Sequence, residues 1–183
     1  MRVIAGSRRS IPLITAEGLD TRPTTDRIKE TLFNILQTDI EGSRFLDLFA
    51  GSGQMGIEAL SRGASYAVFA EQNKKCIDCI QKNLTKTKFL EESKVIASSL
   101  PDCLKTLKND EPFDIIFMDP PYASNLEPAV LRMIDDLELA HEDSLIIIEA
   151  TLDRDVSFVD ETSFEIVRTK VYKTNKHIFL RRK

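Results

Sequence analysis

"LDLFAGSGQMGIEAL", Leu46 to Leu60, sets Gly51, Gly53 and Gly56 at G-x-G-x-x-G spacing between an apolar run that reads as a strand and an amphipathic run that reads as a helix. Glycines let the backbone turn tightly and pass close to a ligand, and a helix start adds unpaired N–H groups, so this is a nucleotide-binding loop by its chemistry. The spacing alone suits a nicotinamide dinucleotide equally well. Two acids narrow the choice. Asp47 lies in the strand itself, where its carboxylate would face a cationic amino group on a ligand; the plainer reading is a carboxylate that braces the loop or caps the helix. Glu71 ends the next strand, at the place where an acid receives ribose hydroxyls. A pyrophosphate is repelled by acids so close to its loop, whereas S-adenosylmethionine has an ammonium, a ribose and no phosphate. The acid-flanked loop therefore favours S-adenosyl-L-methionine over a dinucleotide.

Outward from the loop, apolar runs alternate with helix-length amphipathic segments. Strand candidates are "RFLDLFA", "SYAVFAE", "KVIAS", "FDIIFMD" and "DSLIIIEA", with helical segments such as "GIEALSRG" and "KKCIDCIQKNL" between them. That alternation predicts βαβ units around a parallel sheet covered on both faces. After Ala150 the pattern becomes "FEIVRTKVY" and "KHIFLRRK" with no helix between, which predicts a hairpin at the far edge and hence a mixed sheet. Upstream, "RVIA" and "IPLIT" flank the basic turn "GSRRS" as an N-terminal β-hairpin. A helix follows in "TRPTTDRIKETLFNIL", capped by Thr24 or Thr25, with Ile28, Leu32, Phe33, Ile35 and Leu36 on one face. For Arg27, Lys29 and Glu30 an ordinary charged helix face is the plain reading. The expected fold is α/β, a doubly wound mixed sheet in one domain of 183 residues, with residues 1–40 as a hairpin and helix extension and 41–183 as the core.

"FDIIFMDPPYASN", Phe113 to Asn125, is the second stretch with chemistry in it. Pro120 and Pro121 cannot donate to a sheet ladder, so the strand must end near Met118. It delivers a carboxylate, a stiff turn and an aromatic ring to the carboxyl edge of the sheet, where open α/β sheets bind ligands. Asp119 and the Pro120 carbonyl supply two acceptors for the hydrogens of a flat exocyclic amine, and Tyr122 can stack on a base extruded from its helix. The alternative is a proline-rich turn that closes a strand.

With 42% hydrophobic and 30% charged residues the chain has the composition of a soluble globular protein. It shows neither an apolar run long enough for a membrane span nor the apolar core of a signal peptide, so a cytoplasmic protein is expected. Cys76, Cys79 and Cys103 are an odd number and suggest no disulfide framework. Cys76 and Cys79 form a lone C-x-x-C with only His141 and His177 available to complete a zinc site, so they read as small apolar residues on a helix, and no metal is expected. The net charge of -4 is unevenly distributed: residues 166–183 hold seven Lys or Arg and no acid, against twelve and twenty-five in residues 31–165. Basic ends on an acidic body suit local phosphate contacts.

"MRVIAG", "TRPTTDRIKETLFN", "LDLFAGSGQMGIEALSRGA" and "FDIIFMDPPY" together resemble the RsmD family, bacterial methyltransferases that act on a guanine N2 of 16S ribosomal RNA. The resemblance spans nearly the whole chain, and "TRPTTDR" is its most specific part. It implies a class I methyltransferase, Rossmann-like fold. It also implies that Asp47, Gly51, Ser52 and Gly53 line the methionine end of the cofactor, with Glu71 on the ribose and Gln72 beside the adenine. Asp119, Pro120 and Tyr122 would hold the guanine. Arg22, Pro23, Thr24 and Thr25 would close over the site, and Arg2, Arg8 and Arg9 would touch RNA. The implied partner is 16S rRNA or the small ribosomal subunit, met by a monomer without metal or membrane. Two positions depart from the family pattern. Ser98 and Ser99 stand where relatives use Asp or Asn toward the adenine amine, and Lys173 stands where a glycine usually follows the tyrosine, which bears on the RNA-facing role of Lys173 and Lys176. The rival readings are a DNA adenine or protein glutamine methyltransferase, and a non-catalytic RNA-binding assembly factor on the same fold. An NAD oxidoreductase would lack a hydride-chemistry residue near the loop.

Overall fold

The computed structural model describes residues 1–16, 26–121 and 124–183. The regular elements in chain order are α1 (Asp26–Ile35), β1 (Arg44–Leu48), α2 (Gln54–Ser61), β2 (Tyr66–Glu71), α3 (Lys74–Thr87), β3 (Ser93–Ala97), β4 (Phe113–Met118), α4 (Glu127–Asp136), β5 (Ala140–Thr151), β6 (Phe164–Val171) and β7 (Asn175–Arg182). Short 3-10 helices cover Asp102–Leu107 and Ser157–Glu161. The seven strands form one sheet in the order β3-β2-β1-β4-β5-β7-β6. The first five pair in parallel, and β7 runs antiparallel to both β5 and β6.

Each strand expected after Arg44 is present, and the C-terminal hairpin sits at the far edge as its spacing predicts. The hairpin is threaded so that β7 lies inside the sheet and β6 takes the edge. β5 begins three residues earlier than "DSLIIIEA" suggests, because Ala140 already pairs with Phe113 across an irregular register. The link from β3 to β4 is the 3-10 helix rather than an α-helix. The expected N-terminal hairpin reduces to a single bridge, Arg2 to Pro12. Backbone bonds from Val3 N to Ile11 O (3.0 Å) and Leu13 N to Met1 O (3.1 Å) close it. The caps expected at Thr24 or Thr25 lie outside the described residues.

The parallel strands are buried on both faces because their alternate side chains feed two cores. Phe45, Phe69, Ile115, Phe117, Ile147 and Phe179 pack with Leu32, Phe33 and Leu36 from α1 and its end, and with α2 and α3. Leu46, Leu48, Val68, Ile116, Met118, Ile146 and Ile148 pack on the opposite face with α4 and the 3-10 segments. Sheet order reverses at β1, whose neighbours are β2 on one side and β4 on the other. The carboxyl ends of strands flanking such a reversal are where open α/β sheets bind ligands. Cys76 and Cys79 are buried on α3, as their reading as apolar packing residues requires, and burial pushes the Cys76 thiol up to about 11. A thiol so far from ionisation is a poor nucleophile or metal ligand. Among the described residues no helix is long and apolar enough to cross a membrane.

Candidate active site

The glycine loop leaves β1 through Phe49, held at a positive φ of 62°, and enters α2 through Gly53 at φ 77°. At Gly53 a side chain would strain the backbone. Gly56 serves a different need: a Cβ there would lie 2.4 Å from Cε1 of Phe69, so the glycine lets α2 press onto β2.

Both acids that flank the loop are bonded to it. Asp47 Oδ2 accepts from the Gly56 N–H at 2.9 Å. Glu71 Oε2 accepts from the Gly51 N–H at 2.8 Å, while its Oε1 accepts from Gln72 N and Asn73 N at 2.9 and 2.8 Å. The bracing reading of Asp47 is therefore part of its role. Burial pushes the Asp47 carboxyl up to about 8, opposed by the Gly56 bond and reinforced by Glu71.

The second motif arrives on the adjacent strand. Asp47 and Phe117 are register partners, as are Leu48 and Met118, so β4 releases Asp119 beside the start of the glycine loop. The Asp119 N–H still reaches Leu48 O at 3.4 Å. Burial, then Glu149 and Asp47, hold the Asp119 carboxyl well above the usual carboxylate range. Pro120 is buried and Pro121 exposed. Tyr122 falls outside the described residues, as do Arg22 and Thr24. Beyond the motif, Arg154 ties the chain down by donating to Asn125 Oδ1 at 2.7 Å and Glu127 Oε1 at 3.1 Å.

Ser52 faces the N-terminal segment, with its hydroxyl 3.6 Å from Met1 Sδ. Gln72, Ser98 and Ser99 are exposed at the ends of β2 and β3, on the same edge of the sheet as the glycine loop. The basic residues separate into two groups. Arg2 and Arg9 are exposed, and Arg2 pairs with Asp26 at 3.5 Å. Arg8 is partly buried: its Nε donates to Thr87 O at 2.7 Å and its guanidinium lies over the Phe89 ring. Lys173 is exposed, whereas Lys176 donates to Leu152 O and Arg154 O at 3.1 and 2.8 Å and braces the turn after β5.

Two structural residues escape a sequence reading. Asn83 on α3 accepts from Ile14 N at 2.7 Å and donates to Ile14 O and Ser52 O at 2.9 and 3.0 Å, clasping the N-terminal segment to the glycine loop. Lys29 corrects the charged-face reading of its helix: it is fully buried, 3.5 Å from Glu58 Oε2, and donates to Arg2 O at 2.8 Å. Glu58 also accepts from Ile4 N, Ala5 N and Arg62 Nε. An amphipathic pattern cannot reveal a lysine turned inward, because the pairing acid comes from another helix.

The pattern of a family described as Conserved hypothetical protein 95 matches residues 1–181. The Haemophilus influenzae protein named Ribosomal RNA small subunit methyltransferase D is 41% identical over 157 residues, covering 84% of this chain and 80% of that protein. The solved structure of Escherichia coli yhhF superposes at a TM-score of 0.85 with 32% identity, covering 100% of this chain and 98% of that one. The fold is also shared, at a TM-score of 0.67 and 17% identity, by SMU.776 solved with SAH, covering 84% of this chain and 49% of that one. With its class I methyltransferase fold and its match from end to end, the chain belongs to the RsmD family.

Proposed function

We propose that this protein transfers the methyl group of S-adenosyl-L-methionine to the exocyclic N2 of a guanine in 16S rRNA, presented on the assembled or assembling small ribosomal subunit. The observation that carries the reading is the adjacency of two motifs on neighbouring strands, the acid-braced glycine loop after β1 and Asp119 after β4. The cofactor's ammonium goes to Asp47 beside Gly51, Ser52 and Gly53. Its ribose goes to Glu71, and its adenine lies toward Gln72, Ser98 and Ser99. Arg22 and Thr24 close over it.

The N2 lone pair attacks the methyl carbon in line, the C–S bond breaks toward sulfur, and N2 loses one proton. Asp119 and the Pro120 carbonyl orient the amine, and Tyr122 stacks on the extruded base. Most of the rate enhancement comes from groups placed before the reaction begins. Exposed Arg2, Arg9 and Lys173 are the cations best placed for phosphate contacts; Arg8 and Lys176 would contribute less, being engaged with the protein. The whole chain acts as one catalytic domain, and as a monomer.

The test is transfer of a labelled methyl group into small subunits lacking the modification, with naked 16S rRNA and duplex DNA alongside. Label mapped to one guanine N2 is the expected result. Label in DNA, or none in any of the three despite cofactor binding, overturns the substrate.

A further inference from the structure

Behind Asp119 lies a polar group that the reaction as described does not use. Asp119 and Glu149 stand one step beyond the Met118–Ile148 register pair of β4 and β5, on the same face of the sheet. Adjacent strands lie about 4.8 Å apart. Glu149 is buried, and its cross-strand partner on β7 is the fully buried His177. Asn175 Nδ2 donates to Glu149 Oε1 at 2.6 Å, and His177 Nε2 meets Oε2 at 3.2 Å. Tyr172 Oη lies 3.2 Å from His177 Nδ1, and Phe117 stands edge-on to the imidazole. One tautomer satisfies both ring contacts: the tyrosine hydroxyl donates to Nδ1, and Nε2–H donates to Glu149. Asn175 and His177 thus fix the orientation of the Glu149 side chain.

We propose that Glu149 is a positioning residue for methyl transfer: fixed by Asn175 and His177, it holds a negative charge against Asp119, which thereby serves as acceptor of the proton that the target amine loses. This rests on the methyltransferase reading above. The balance is simple. As the N–C bond forms and the C–S pair passes to sulfur, the N2 proton moves to an Asp119 oxygen, and Glu149 exchanges no proton. The elevated Asp119 carboxyl agrees with this arrangement: burial raises it most, and Glu149 comes next, ahead of Asp47. Among the described residues, the groups facing Asp119 are Asp47 from β1 and Glu149 from β5. Behind Glu149, β7 presents His177, the β6–β7 turn presents Tyr172, and β6 supplies Lys170 opposite His177 and Arg168 near Tyr172. A purely structural Glu149 would leave the titration of Asp119 unmoved.

Two measurements decide it. In kcat/KM against pH, Glu149→Gln moves the acidic limb down by about one pH unit or more and lowers the plateau about tenfold, with cofactor affinity within about threefold. A carbon-13 carboxyl titration by NMR, without substrate, reads Asp119 directly: its midpoint falls by the same interval in Glu149→Gln. It falls by a smaller step in Asn175→Leu, which strips one donor from Glu149 and loosens its hold beside Asp119. An Asp119 midpoint that stays put in both variants overturns the proposal. If the wild type methylates no RNA, the proposed function fails, while the NMR midpoints still decide whether Glu149 governs Asp119.

Discussion

Glu58 and Asp47 are both buried acids near the glycine loop, and their charges are handled in opposite ways. Glu58 is surrounded by compensation: Lys29, Arg62 and the N–H groups of Ile4 and Ala5 all point at it. Asp47 has one backbone N–H from Gly56, with the acids Glu71 and Asp119 for neighbours. The first cluster fastens the N-terminal segment to α2, and nothing needs to bind there. The second gathers poorly compensated acids at the carboxyl end of the sheet, the place that the proposed function gives to the cofactor's ammonium and the hydrogens of the target amine. Buried charge with its partners in place is architecture, and buried charge without them marks a site.

The sharpest way to break that contrast is Asp119→Ala. It should lower methyl transfer by a factor of about 10² to 10⁴, while calorimetric cofactor affinity stays within about tenfold. Loss of cofactor binding altogether would place Asp119 in the cofactor pocket instead. Next in size is Glu58→Leu, which strands Lys29 and should cost about 3–5 kcal/mol of stability in chemical unfolding. A loss under about 1 kcal/mol would mean that the compensated cluster holds nothing together.

Asp47→Asn keeps an acceptor for Gly56 N–H and removes the titration. The folded carboxyl, at about 8, lies above its unfolded value. Its contribution is therefore fully present below pH about 4 and is lost as the pH rises through about 8. Over that window the wild type should lose up to about 1.4 kcal/mol of stability per pH unit relative to the variant. Parallel unfolding curves at pH 5 and 8 would show Asp47 to be compensated after all. The smallest effect belongs to the basic segment: Arg8→Ala with Arg9→Ala should reduce the slope of log affinity for RNA against log salt by about 1. Arg8 is already engaged with Thr87 and Phe89, so an unchanged slope would remove both arginines from the RNA contact.

Much of this protein can be read along the chain because its signals are local. The apolar runs of β1 to β5, the glycine spacing and the strand-stopping prolines act within a few residues of themselves. Short-range sterics and hydrogen bonding therefore determine the βαβ alternation, the nucleotide-type loop and the Asp-Pro-Pro corner without reference to the rest of the molecule. The terminal hairpin is legible for the same reason.

Other features depend on which distant segments meet. Lys29 follows a helical pattern that places it with charged neighbours, and only the approach of Glu58 from α2 makes its burial affordable. Asn83 looks like one polar residue on an amphipathic helix until the N-terminal segment folds over it. His177 becomes the partner of Glu149 because β7 inserts between β5 and β6, a choice of strand order that no local propensity encodes. Arg8 and Lys176 have the look of free cations in the sequence, yet tertiary carbonyls claim them. The sequence by itself determined the elements and the two motifs. Tertiary structure decided which charges are neutralised, because compensation of a buried charge requires a partner brought in from far along the chain.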